Sequence, residues 1–195
     1  MEVKLKEAVL SMPFVWEASA YDADQDEKYS AHFIIEKGSE NEKVMHAALM
    51  AEGEKLWKQN AVAKLKAIQA TGKLWCLRDG DGKTDEEGNV LAGYAGRLFV
   101  SAKNTIRPLL IDGARAPLTR DDDKLYPGAI VNARVEVRVG DRPSSQAWAY
   151  LKGIQFVRDG TRLGGGAPAT VEDFDEIKPA ATSGEKPSAE ALFKF

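Results

Sequence analysis

Residues 130–140, IVNARVEVRVG, alternate apolar and polar side chains along the whole stretch. Only a β-strand, whose successive side chains leave opposite faces, turns that two-residue period into one dry side and one wet side. Val131, Ala133, Val135, Val137 and Val139 therefore predict a buried face, and Asn132, Arg134, Glu136 and Arg138 a solvated one. The same period runs through GRLFVSAKN, where Leu98, Val100 and Ala102 oppose Arg97, Phe99, Ser101 and Lys103. In WAYLKGIQFV, Trp148, Tyr150 and Lys152 share a face as far as Gly153, an interior glycine that predicts a bulge and leaves Gln155 and Phe156 unplaced. Further strands are expected in VKLKEAVLS, in KYSAHFIIEK, near KLWCLRD and in RPLLIDG, with YDADQDE, GDGKTDEEGN and ARAPLTRDDDK as loops.

One segment breaks this rhythm. From Asn41 to about Ala70, Met45, Leu49, Leu56, Trp57, Ala61, Leu65 and Ile68 fall at helical spacing, Lys55, Lys58, Lys64 and Lys66 lie mostly off the stripe, and Thr71-Gly72 supplies a stop. The expected class is mainly β with one long helix, a small barrel or sandwich into which the helix is inserted. A chain of 195 residues, 44% hydrophobic, holds one core and an appendage. We place the domain at 1–163 and an acidic, flexible tail at 164–195, where Gly, Ala, Pro, Ser and Glu leave too little apolar surface to offset ordering.

Several function classes drop out. No apolar run reaches the ~18–20 residues that span a bilayer, and the N-terminus lacks a signal-peptide core. The single cysteine, Cys76, excludes an intrachain disulfide and a four-cysteine zinc site and fits a reducing cytoplasm. The two histidines, His32 and His46, sit in no metal or triad spacing. Counted from Asp79, the turn-rich loop has Lys83, Thr84 and Val90 where a calcium loop needs an oxygen ligand, Gly and Glu. The glycines after Leu163 lack the Gly-Lys-Ser/Thr ending of a nucleotide loop and read as an exit from the last strand into the tail. We expect no enzyme, no metal and no cofactor.

The net charge of −3 hides a segregated pattern. Residues 1–96 carry 12 basic and 17 acidic side chains, residues 97–162 carry 12 and 7, and residues 163–195 carry 3 and 6. The basic middle coincides with the clean strands, so a local positive field is expected there. Trp148 and Tyr150 lie about 7 Å apart along their strand, a spacing on which unpaired bases can stack, with Lys152 beside them for phosphate. The competing expectation is that these rings are core residues. Arg97, Phe99 and Lys103, and Arg134 on another strand, repeat the theme of cations on a polar face. Trp16, Tyr94 and Arg158 are secondary candidates.

The segments KYSAHFIIEK followed by a helix, LYPGAIVNARVEV, and GIQFVRDGTRLGGG with a nearby EDFDEI resemble the small single-stranded DNA-binding proteins of tailed bacteriophages, over about Phe14 to Ile177. The resemblance implies an oligonucleotide-binding (OB) fold, a five-stranded Greek-key barrel. It also implies sequence-tolerant coating of single-stranded DNA during phage replication and recombination in the host cytoplasm. It further implies a tail that docks replication or recombination proteins, here with Glu172, Asp173, Asp175, Glu176, Phe193 and Phe195. The acids stand about twenty residues from the end and Lys194 lies in the final FKF, a departure from an acidic tip. The rival expectation is a phage structural or assembly protein that uses the barrel for protein contacts. Monomer and dimer are both compatible with the sequence.

Overall fold

The computed structural model describes residues 1–20 and 26–164. Seven strands and two helices follow in the order β1 (Glu2–Ser19), β2 (Lys28–Ile35), α1 (Glu40–Trp57), α2 (Ala61–Thr71), β3 (Leu77–Asp79), β4 (Leu98–Asn104), β5 (Leu109–Ile111), β6 (Ile130–Gly140) and β7 (Gln146–Arg158). The sheet order is β3-β4-β2-β1-β6-β7-β5. A parallel pairing of Ala102 on β4 with Ala149 on β7 closes β4-β2-β1-β6-β7 into a five-stranded barrel. The remaining strands, β3 and β5, extend the sheet outside the ring, on β4 and β7 respectively.

β1 is long enough to serve two neighbours because it bends. Its first half pairs with β6 and its second with β2, with register shifts between Leu5 and Ala8 on one side and between Ser11 and Phe14 on the other. Glu7 (φ 48°) and Met12 (φ 46°) sit within those shifts in the left-handed region, where an extra residue turns the strand. The amide of Glu7 is caught by Asn132 Oδ1 at 3.1 Å.

The two-residue alternation of the strands holds. Val131, Ala133, Val135 and Val137 on β6, Val100 and Ala102 on β4, and Ala149 and Leu151 on β7 are fully buried and fill the barrel with Leu5, Leu10, Val15 and Phe33. The bulge expected at Gly153 is present: Val135 pairs with Leu151 but Arg134 pairs with Gly153, so Lys152 is the extra residue. A side chain at Gly153 would meet the Leu109 carbonyl at 3.0 Å, so the glycine is what lets β5 lie against β7.

The helical segment is interrupted. Lys58 caps α1 at φ 49°, and a 3-10 turn over Lys58–Asn60 joins it to α2. Ser39 caps the start and Gly72 the end. α1 packs on β6 and β1 through Met45, Ala48, Leu49 and Trp57, and α2 continues the buried stripe with Ala61, Leu65 and Ile68. Leu56 departs from the expected stripe and is 49% exposed, while Glu52, Gly53 and Trp57 take the buried side of the last turns of α1. No helix among the described residues is long and apolar enough to cross a membrane. The tail residues Glu172, Asp173, Asp175, Glu176, Phe193 and Phe195 lie outside the described residues.

Candidate nucleic-acid interface

The outer surface of β2 and β4 brings together what the strand periods expose. Across it run Phe14 on β1, paired with Ser30 on β2, and Ser30 paired with Lys103 on β4. Because Ala102 and Ala149 pair in parallel and both point inward, the next residues, Lys103 and Tyr150, stand side by side on the outside. Phe14 is 53% exposed and Tyr150 36%, and they are the two exposed aromatic side chains among the described residues. Trp148 meets the Tyr150 ring edge to face at 6.2 Å and lies over Gly140, half-buried.

From Lys103 a cluster of cations extends along the sheet, past His32 toward β3. Lys28 begins β2, Arg78 lies on β3, Lys83 follows the 3-10 turn after β3, and Lys103 is on β4. None has a carboxylate within ion-pair reach among the described residues. Arg78 is instead held by the carbonyls of Trp75 (2.9 Å) and Lys73 (2.8 Å). Partial burial, then the repulsion of Lys28 and Arg78, pushes the Lys103 ammonium below its usual range. His32, on the outer face of β2, is pushed down to about 4 by burial and then by Lys83 and Arg78, so it is neutral at pH 7. Like charges kept close, with no counter-charge in ion-pair reach among the described residues, form a site that an anion relieves.

Most of the other expected site residues stand elsewhere or are already paired. Phe99 and Tyr94 overturn the expectation: Phe99 leaves the outer face of β4 and Tyr94 packs onto it from the preceding loop, but they are 2% and 1% exposed, sealed with Ile34 into a second small core under Val9, Leu91 and Leu163. The loop preceding β4 folds back over them, which strand alternation alone does not reveal. Tyr94 bonds His32 Nδ1 at 2.8 Å and donates to Ser11 at 3.0 Å. Leu163 belongs to the same cluster and its amide donates to the Pro127 carbonyl, so the exit before the glycines is anchored rather than free. Arg97 pairs with Glu36 at 2.8 Å, Arg134 with Glu2, and Arg158 with Glu7 at 3.7 Å at the far end of β7. Lys152 reaches Glu136 at 2.8 Å, and the same carboxylate holds Arg138. Trp16 is half-buried against the main core.

Sequence reasoning missed Phe14, Lys28, Arg78 and Lys83. Phe14 was hidden because bulges shift the phase of β1, and the three cations because they come from separate strands and a loop. His46 lies on α1 beside Glu42, and Cys76 is buried with its thiol pushed up to about 12. Among the described residues no group of three or more His, Cys, Asp or Glu side chains is placed to hold a metal.

The family described as "Enterobacter phage Enc34, ssDNA-binding protein" matches residues 1–185. The chain belongs to that family. It is 37% identical over 183 residues to protein p50 of Acyrthosiphon pisum secondary endosymbiont phage 1, covering 92% of this chain and 96% of that one. Its fold resembles the Enc34 single-stranded DNA-binding protein solved in complex with ssDNA, with a TM-score of 0.66 at 16% identity over 84% of this chain and 89% of the other. It also resembles gp2.5, a single-stranded DNA-binding protein encoded by bacteriophage T7, with a TM-score of 0.53 at 9% identity over 82% and 93%. The Enc34 family is one of DNA-binding proteins and not a class of enzyme. Within it, the present chain has an OB-type barrel, with a parallel pairing between its third and fifth barrel strands, β4 and β7.

Proposed function

We propose that this member of the Enc34 family binds unpaired DNA across the outer face of β2 and β4, without base preference, and coats exposed strands during phage DNA replication and recombination. Bases stack on Phe14 and Tyr150, with Trp148 backing the Tyr150 ring. Phosphates lie over Lys28, Arg78, Lys83 and Lys103, and Lys152 contributes once Glu136 releases it. The observation that carries this reading is the set of four cations with no carboxylate partner among the described residues, reaching from Lys103, beside the exposed Tyr150 ring, toward β3. The row from Phe14 to Tyr150 crosses three gaps between strands, roughly 14 Å, which holds a short run of nucleotides. Of the expected groove, Arg97, Arg134 and Arg158 are spent on carboxylates, and Phe99 and Tyr94 are sealed under the loop that precedes β4.

A division near Gly164 belongs to the same reading. The barrel grips DNA, and the segment carrying Glu172, Asp173, Asp175, Glu176, Phe193 and Phe195 docks replication or recombination proteins in the host cytoplasm. Titration of a fluorescent oligo-dT tests the binding. The log-log salt slope should be near −0.7 for each phosphate neutralised, and Arg78→Ala with Lys103→Ala should flatten it. An oligomer that fails to bind at low salt, or whose affinity ignores salt, overturns the proposal.

A further inference from the structure

The outer face of β1, β6, β7 and β5 carries a second groove, on a different side of the barrel from the β2–β4 row. It has a volume of about 690 Å³, and its walls include Lys4, Arg115, Arg134, Lys152 and the exposed Leu109 of β5. Its charges are unevenly paired. Glu2 engages Arg134 and Glu136 engages Lys152, while Lys4 and Arg115 are exposed and have no carboxylate partner among the described residues. The uncharged polar side chains of its floor are already satisfied. Asn132 donates to Gln155 at 3.1 Å, and Gln155 donates to the Asp112 carbonyl at 3.3 Å. Arg115 is presented at the groove mouth by a tight turn in which it takes φ 70° and its amide donates to the Asp112 carbonyl at 3.1 Å.

This groove joins the first site. Lys152 lines it and also lines the shallow hollow of Trp148, Tyr150, Asn104, Ile106 and Arg138. The bulge at Gly153 is the bend between the two, because it makes Lys152 the extra residue of β7 and lets β5 form the far wall. A flexible polyanion that leaves the Tyr150 ring therefore meets the groove at their shared residue Lys152, with Lys4 and Arg115, which have no carboxylate partner among the described residues, ahead of it.

We propose that a single DNA strand passing Tyr150 turns at Lys152 and continues into the β1–β6–β7–β5 groove, where Lys4 and Arg115 take its next phosphates. The inference rests on the binding reading above and enlarges it. The barrel then has two consecutive segments of contact, with stacking on the first and mainly phosphate contact on the second.

Oligo-dT of two lengths separates the two ideas. One, of about six nucleotides, is accommodated by the first face; the other, of about fourteen, is long enough for both, within the range seen for single OB folds. The wild-type chain is compared with Lys4→Ala/Arg115→Ala, both being exposed positions, with melting temperature and sedimentation recorded for each. The double variant should bind the short oligomer as the wild type does. It should lose severalfold affinity for the long one and flatten that salt slope by about 1.4, roughly 0.7 for each lost cation. Equal binding of the long oligomer by both proteins overturns the groove while leaving the first face standing. Equal losses at both lengths, or a change in oligomeric state with no change in DNA binding, also overturn it. A wild-type chain that binds neither length overturns the first reading and the groove with it.

Discussion

Tyr94 and Tyr150 carry the same side chain in opposite settings. Tyr94 is sealed beside Phe99, its hydroxyl satisfied by Ser11 and His32, whereas the Tyr150 ring lies open beside Lys103. Phe14→Ala and Tyr150→Ala should each weaken ssDNA binding by roughly 1–3 kcal/mol with little change in melting temperature. Phe99→Ala should instead cost about 3–5 kcal/mol of stability by opening a cavity. Anisotropy titration and urea unfolding of the same three variants distinguish the two roles, and a stable Phe99→Ala protein that has lost DNA binding would reverse them. His32 adds a dependence on pH. Its folded pKa is about 4 against 6.5 for the free side chain, so between these values the unfolded chain binds the extra proton. Stability from this residue is complete above about pH 6.5 and is lost as the pH falls toward 4, by ~3 kcal/mol at most. A urea midpoint that falls less steeply over that window in His32→Gln than in the wild type is the expected result.

At the scale of elements, two places show packing overriding a simple period. The helical stripe read from Met45 to Ile68 is buried at almost every position, yet Leu56 stands in solvent and the segment breaks at Lys58. Gly53 makes the return of α2 possible, since a side chain there would meet Leu65 Cδ1 at 3.0 Å. Gly53→Val should therefore cost about 1–3 kcal/mol by overpacking, read as a lowered melting temperature with the far-ultraviolet helix signal retained. β1 shows the other kind of override. Its bulges shift phase, so the pattern that correctly predicts β4, β6 and β7 says nothing of which way Phe14 points.

At the scale of the molecule, what matters for DNA is which cations remain unneutralised after folding. The basic middle of the sequence predicts a positive field, but Arg134, Arg138, Lys152 and Arg158 are all matched by carboxylates, several from the acidic front of the chain. Glu136 is the centre of this matching. Its carboxyl is held below the usual range first by Lys152 and, after the opposing effect of burial, by Arg138. Glu136→Gln should tighten ssDNA binding and steepen the salt slope by about 0.7 for each cation that then engages a phosphate. An unchanged or flatter slope would place Lys152 and Arg138 off the DNA path.

The sequence by itself determined the strands, their inward faces, the inserted helix and the bulge at Gly153, because these depend on local periods of side-chain polarity and on the backbone freedom of one residue. Its resemblance to phage DNA-binding proteins rested on short segments of the same kind. The tertiary structure alone decided which rings stay open and which charges stay unpaired. Phe99 and Phe14 differ only in what other parts of the chain lay over them, and Lys103 and Lys152 only in whether a carboxylate from a neighbouring strand reaches them. Cover and neutralisation are set by residues distant in sequence, so no reading of one strand at a time contains them.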